Sequence, residues 1–262
     1  MRFAQFLLLV ALTVRPALAD TGFLDRSLAV RGGTFRYQVY VPAEFTSRKS
    51  WPIIVWLHAN GSQGDDALLP TVGALADQIR RHRSSFPAIV LFPQAKTGTR
   101  WAYPEMEDLV MSALDRTVKE FRGDPAKVYL AGHSMGGNGA YRIAFRWPER
   151  FAALLVVSGS VTGAGSWTSE DVAVDRQTHA FMTAPDPFAA LVARIGRLPI
   201  WMFHGDADET VPVDQSRRMV AALRLAGSNV RYTEFPGGDH NGAPGQAFDG
   251  LETLPWLLSQ RR

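Results

Sequence analysis

The feature that most constrains the fold of this chain is an alternation of two hydrophobic periods. Runs rich in branched and aromatic residues occupy 35–41, 52–57, 88–92, 128–131, 154–157, 199–203 and 230–235, and these read as strands. Stretches with apolar residues at helical spacing occupy 75–82, 106–121, 135–145, 188–195, 216–225 and 251–259. Several inner strand runs are apolar on both faces, which suits strands sandwiched between helix layers. Strand and helix in turn, repeated this often, predict a mostly parallel sheet with helices on both faces. The runs at 35–41 and 52–57 lie too close for a crossover helix, so the sheet is expected to open with antiparallel strands. Residues 161–187 break the rhythm: they are rich in Gly, Ser, Thr and Asp and have weak periodicity. A loop this long after a strand is expected to rise over the sheet edge where α/β ligands sit, as a small cap or pocket rim.

The first residues belong to a different grammar. Met1-Arg2 gives a positive start, residues 6–14 are almost wholly apolar, and Ala17-Leu18-Ala19 places small residues where a signal peptidase reads. The apolar run is about ten residues, against about twenty for a span, so residues 1–19 read as a cleaved signal peptide. Residues 20–262 are then expected to form a single exported domain, periplasmic or secreted. The bland alternative is a buried N-terminal strand. No later run is long and apolar enough to anchor the chain in a bilayer. Composition excludes more. With no cysteine among 262 residues there is no disulfide, thiolate metal site or lipidated N-terminal cysteine. Lys+Arg 28 against Asp+Glu 25 leaves a formal charge of +3, spread rather than gathered into the basic stripe that nucleic acid requires. Oligomeric state is not readable from the sequence.

Chemistry concentrates at three turns. Gly132-His133-Ser134-Met135-Gly136-Gly137 falls between the strand run ending at Ala131 and the helix beginning near Met135. A serine in a strand-to-helix turn this sharp needs glycine on both sides, because side chains there would collide with neighbouring elements. The following helix points its free N–H groups at the reacting centre. An idle serine in a glycine-rich turn is the competing reading. Such a nucleophile needs an acid and then a base downstream. Asp208 lies on the loop after the strand run 199–203, with Asp206 as its rival, and His240 follows the run ending at Phe235. All three stand at the carboxyl ends of parallel strands, on one edge of the sheet. Ser134 is expected to attack, His240 to take and return its proton, and Asp208 to fix the imidazole.

Oxyanion donors are expected from the backbone N–H of Met135 and from the loop after the run 52–57, which reads His58-Ala59-Asn60-Gly61-Ser62-Gln63-Gly64. Asn60 is the first choice there and Ala59 the second. Trp101 and Trp167 are candidate walls of a substrate slot, although Trp101 could equally anchor its own loop. His133 and His204 read as packed or hydrogen-bonded neighbours rather than bases. No His-Glu-x-x-His and no phosphate-cradling glycine loop follows a strand, so neither metal nor cofactor is expected.

Taken in order, Trp56-Leu57-His58-Ala59-Asn60-Gly61, Phe92-Pro93-Gln94, the Gly132–Gly137 turn, His204-Gly205-Asp206-Ala207-Asp208 with Val211-Pro212, and Gly238-Asp239-His240 carry a resemblance. The chain resembles α/β-hydrolase-fold serine esterases, in particular secreted bacterial proteins grouped as predicted phospholipase/carboxylesterase, feruloyl-esterase and polyhydroxybutyrate-depolymerase-like. It implies Ser134 as nucleophile, Asp208 as acid, ranked ahead of Asp206 by the family's spacing, and His240 as base. The expected activity is cleavage of a carboxylic ester, small or polymer-linked, through an acyl-enzyme. A prolyl-oligopeptidase-like peptidase and a catalytically silent hydrolase-fold binding protein are the alternatives. One departure stands out: relatives usually read His-Gly where this chain has His58-Ala59, so a positive φ at that position would strain the oxyanion loop.

Overall fold

The computed structural model describes residues 20–47, 49–162 and 176–262, with only the backbone described at 176 and 177. The expected signal peptide and most of the expected cap, including Trp167, lie outside the described residues.

Among the described residues, eight strands form one sheet: β1 (Gly22–Val30), β2 (Gly33–Val41), β3 (Trp51–Leu57), β4 (Ile89–Pro93), β5 (Gly123–His133), β6 (Ala153–Val157), β7 (Ile200–Gly205) and β8 (Val230–Phe235). Their order is β1-β2-β4-β3-β5-β6-β7-β8. β2 pairs antiparallel with β1 and β4, and every pairing from β4 to β8 is parallel. The mostly parallel sheet is the one the alternation predicts, and it is the α/β-hydrolase fold that the resemblance implies. The antiparallel opening is present too, but β2 and β3 are not neighbours, because β4 lies between them. β1 was not legible as an apolar run, since as an edge strand it is only half-buried along its length.

Period two along the strands sorts side chains to the two faces. On β3, Trp51, Ile53, Val55 and Leu57 enter one core cluster, and Ile54 and Trp56 enter the other. The first face is covered by α2 (Pro104–Glu120), α3 (Met135–Arg146), α5 (Pro187–Ile195) and α6 (Asp214–Leu225), through residues such as Leu109, Ile143, Leu191 and Met219. The second is covered by α1 (Ala74–Arg81), α7 (Ala243–Asp249) and α8 (Thr253–Ser259), through Ile79, Phe248 and Trp256. Helix α5 begins where Asp186 accepts the N–H groups of Phe188 and Ala189 at 3.0 and 3.1 Å. A short helix, α4 (Arg176–Met182), lies in the stretch expected to be a cap. Because β3, β5, β7 and β8 run parallel, the loops leaving their carboxyl ends emerge on one edge of the sheet.

Candidate active site

The turn after β5 is built by close approach. A side chain at Gly136 would drive its Cβ well inside 3.0 Å of the Leu57 carbonyl, at the end of β3, and one at Gly132 would collide with Gly136. The absence of Cβ atoms lets α3 start directly against the sheet edge. Ser134, between them, takes φ 55° and ψ −115°, a region costing a non-glycine residue about 1–3 kcal/mol. Its N–H donates to the Val157 carbonyl at 2.9 Å, which ties the strained residue to the end of β6.

Two further loops meet this turn. Gly205, ending β7, and Gly238 come so close that a Cβ on Gly205 would strike the Gly238 carbonyl, and the Ala207 N–H donates to that same carbonyl at 3.0 Å. The acid-bearing and histidine-bearing loops are thereby held together. His240 Nε2 lies 2.8 Å from Ser134 Oγ, and His240 Nδ1 lies 2.7 Å from Asp208 Oδ2. The other carboxylate oxygen of Asp208 accepts the N–H groups of Thr210 and Val211 at 2.9 and 2.7 Å. Burial alone would raise the Asp208 carboxyl, but the Val211 N–H and the His240 imidazole outweigh it and hold Asp208 below the usual carboxylate range. Asp206, the rival acid, instead accepts the Gly237 N–H at 2.6 Å and braces the turn before His240. The structure therefore brings Ser134, His240 and Asp208 into one hydrogen-bonded line.

Two buried histidines flank that line. His133 Nε2 lies 3.0 Å from the His240 carbonyl oxygen, to which it must donate, and the two rings stand 4.9 Å apart. Burial pushes His133 down to about 4, so it is neutral near pH 7. His204, wholly buried at the end of β7, sits 2.7 Å from Ser216 Oγ, 2.9 Å from the Val211 carbonyl oxygen and 3.2 Å from Asp208 Oδ2.

The loop after β3 approaches from the other side. His58 is buried, and burial lowers it to about 4. Its Nδ1–H donates to the Ala59 carbonyl at 2.7 Å, and its Nε2 accepts the Ala95 N–H at 3.1 Å. Gln63 Nε2 donates to Asn60 Oδ1 at 2.8 Å and lies 3.8 Å from Met135 Sδ, so this loop touches the first residue of α3. The N–H of Met135 is among those an α-helix leaves without an internal acceptor. Ala59 is not among the residues with positive φ, whereas Gly61 has φ 92°. The glycine that relatives carry is therefore not required here, and alanine fits without backbone strain.

Trp101 is 1% exposed, and its indole N–H donates to the His58 carbonyl at 2.9 Å. It anchors the loop from within, and its expected place on a substrate wall is corrected accordingly. Gln94, which ends the Phe92-Pro93-Gln94 motif, has a structural task. Its buried amide donates to the Ser62 carbonyl at 3.1 Å and accepts the Ala67 N–H at 2.6 Å, stapling the loop's far end. Asn138 and Arg142 carried no sequence signal; they form a ladder on α3, with Asn138 Nδ2 donating to the Ser160 carbonyl at 2.7 Å and Arg142 Nε to Asn138 Oδ1 at 2.8 Å. Among the described residues no three His, Cys, Asp or Glu side chains gather as metal ligands would.

Comparison with known proteins places this geometry in context. A model of the prolyl oligopeptidase family matches residues 95–254, which takes in all three strand-end residues of the line. A protein of Arthroderma benhamiae described as an uncharacterized secreted protein is 27% identical over 206 residues, 72% of this chain and 21% of that one. Acetylxylan esterase A of Talaromyces purpureogenus is 25% identical over 214 residues, 73% of this chain and 52% of that one. Among solved structures, a thermostable esterase superposes with TM-score 0.74 at 28% identity, covering 92% of this chain and 63% of its own. The chain thus spans about a fifth and about half of the two curated relatives.

Proposed function

From a chain that belongs to the prolyl oligopeptidase family, we propose a serine hydrolase that cleaves carboxylic esters through an acyl-enzyme, with Ser134, His240 and Asp208 as its triad. The observation that carries this reading is the unbroken line from Ser134 Oγ through both ring nitrogens of His240 to Asp208 Oδ2, at 2.8 and 2.7 Å. The family supplies a serine-hydrolase frame, and the similarity to an acetylxylan esterase and a thermostable esterase favours esters over peptides.

The chemistry follows from the atoms. Ser134 Oγ adds to the ester carbonyl as its proton passes to His240 Nε2. The imidazolium formed is stabilised by Asp208, which stays ionised because N–H groups of Thr210 and Val211 saturate its second oxygen. Charge developing on the carbonyl oxygen is met by backbone N–H groups of Met135 and Asn60, each donor worth about 3–4 kcal/mol in sites of this kind. His240 then protonates the departing alkoxide. Water repeats the sequence on the acyl-enzyme and frees the acid. No step uses a metal or cofactor. The substrate is a small or polymer-linked ester, and acetylated polysaccharide enters as a candidate through the acetylxylan esterase relative.

Export belongs to the same proposal. It rests on the signal-peptide pattern of residues 1–19 and on a relative described as secreted. No helix among the described residues is long and apolar enough to cross a membrane.

The test is hydrolysis of p-nitrophenyl esters from acetate to octanoate, acetylated xylan and methyl ferulate by residues 20–262, beside Ser134→Ala. Serine-dependent release of acid supports the reading. A chromogenic prolyl peptide belongs in the same panel, since the family match favours peptidase activity as the second reading. Turnover of the peptide alone would replace esterase with peptidase.

A further inference from the structure

The buried pair His204 and Ser216 is the least explained polar group near the site. His204 is 0% exposed, and Ser216 lies inside the first turn of α6 at 1%. Burying an imidazole costs free energy unless both ring nitrogens are satisfied. Here they are, and in only one tautomer. Nε2 faces two acceptors, the Val211 carbonyl oxygen at 2.9 Å and Asp208 Oδ2 at 3.2 Å, so the ring proton must sit on Nε2. Nδ1 is therefore a bare acceptor and takes the Ser216 hydroxyl proton at 2.7 Å. Burial is the strongest influence on this ring and favours the uncharged form, which a single Nε2–H requires.

The consequence falls on Asp208. Its Oδ1 receives two backbone N–H groups, and its Oδ2 faces His240 Nδ1 at 2.7 Å and His204 Nε2 at 3.2 Å. Ser216 fixes the His204 ring, and that ring sets one N–H against the oxygen on which His240 depends. We propose that His204, locked by Ser216, is a positioning residue that tunes the basicity and aim of the Asp208 carboxylate. This rests on the triad reading above. The chain of contacts is Ser216, His204, Asp208, His240, Ser134, running from the core to the sheet edge. A merely structural His204 would tie α6 to the end of β7 and leave the chemistry of Asp208 untouched.

Other charged groups near the pair are accounted for. Glu234 on β8 lies opposite His204 in the strand register and is engaged by Arg217 at 2.5 Å and Tyr232 at 2.6 Å. Asp206 is spent on the Gly237 N–H. His133 is neutral near pH 7 and donates to the His240 backbone. None of these groups donates a hydrogen bond to Asp208, so removing the His204 N–H is not compensated by them.

Loss of that donor leaves the Asp208 carboxylate a stronger base, which favours the protonated His240 ring. The acid limb of the pH–rate profile then moves to higher pH. The experiment compares the wild-type protein with His204→Phe, His204→Gln and Ser216→Ala. Two readouts are taken: the pH profile of kcat/KM on p-nitrophenyl acetate, and the titration of the His240 ring followed by nitrogen NMR. His204→Phe is expected to move both upward by about half a pH unit or more and to lower kcat about tenfold. His204→Gln, whose amide N–H reaches where Nε2 stands, is expected to restore the wild-type limb. Ser216→Ala releases the ring and moves the limb in the same direction by about a third as much. A folded His204→Phe whose limb and ring titration superpose on the wild type overturns the proposal. If His204→Phe fails to fold, an unshifted Ser216→Ala overturns it instead. The ring titration needs no substrate, so absence of ester turnover by the wild type would defeat the esterase reading while this comparison still decides the role of His204.

Discussion

Replacing Gly136 by alanine tests whether close packing at the strand-to-helix turn positions the site. The added Cβ would sit well inside 3.0 Å of the Leu57 carbonyl and 2.8 Å from the His58 carbonyl oxygen, both rigid backbone atoms. Ordinary carbon–oxygen contact begins near 3.4 Å. The first turn of α3 must therefore move off the end of β3 by roughly 1 Å or more, since neither partner can rotate away. That turn carries Ser134 and the Met135 N–H, and the atoms it would strike begin the loop that carries Asn60. The same displacement widens the proposed oxyanion site. Overpacking of this kind costs about 1–3 kcal/mol of stability, and a misplacement of about 1 Å costs about a hundredfold in rate. Gly245 on α7 is the control: a Cβ there meets nothing within 4 Å and the residue is helical, so alanine should stabilise by about 0.5–1 kcal/mol. Urea denaturation and ester turnover of both variants decide the matter. A Gly136→Ala protein within about 0.5 kcal/mol of wild type, retaining more than half its rate, would refute the reasoning.

Acid pH tests the buried histidines. His58 and His133 are held neutral to about 4 against an ordinary 6.5, so the unfolded chain binds their protons first as pH falls. Their contribution is complete above about 6.5 and is lost toward 4, at about 1.4 kcal/mol per pH unit for each; a urea midpoint that is flat between pH 7 and 5 would contradict it. Asp208→Asn should lower kcat by about three to four orders of magnitude through the wrong imidazole tautomer. Asp206→Asn, at a turn-bracing carboxylate, should cost about tenfold or less, and the reverse ranking in steady-state assays would move the acid to Asp206. Ala59→Gly should bring no gain in kcat and should destabilise by about 0.5–1 kcal/mol, because Ala59 already fits its backbone conformation. A faster Ala59→Gly variant would show that the loop is strained after all.

The legible parts of this protein are those where local and tertiary demands agree. β3, β6, β7 and the second half of β5, from Val128, are buried on both faces almost throughout, so their side chains are mostly apolar in continuous runs, and the sequence shows this directly. The switch from period two to helical period at Ser134, with glycine before and after it, marks the turn because the packing against Leu57 admits nothing larger. β1 escaped notice because an edge strand needs only one half-buried face. α7 escaped because Pro244 and Gly245 lower its helical propensity, and packing of Ala247 and Phe248 on the second core supplies what propensity does not. Trp101 illustrates a different limit. Its composition and loop position fit a substrate wall and a buried anchor equally, and only the hydrogen bond to the His58 carbonyl separates them. The tasks of Gln94 and His204 are likewise set by partners far away in sequence, which no local pattern encodes.

The most direct measurement is the reaction of the folded protein with a fluorophosphonate probe, followed by mass spectrometry of the labelled peptide. Wild type should take up one equivalent at Ser134, Ser134→Ala none, and His240→Ala should label at least about a hundredfold more slowly, the scale of general-base assistance. Labelling that misses Ser134, or that proceeds at the same rate without His240, would contradict a nucleophile activated by the line from Ser134 through His240 to Asp208.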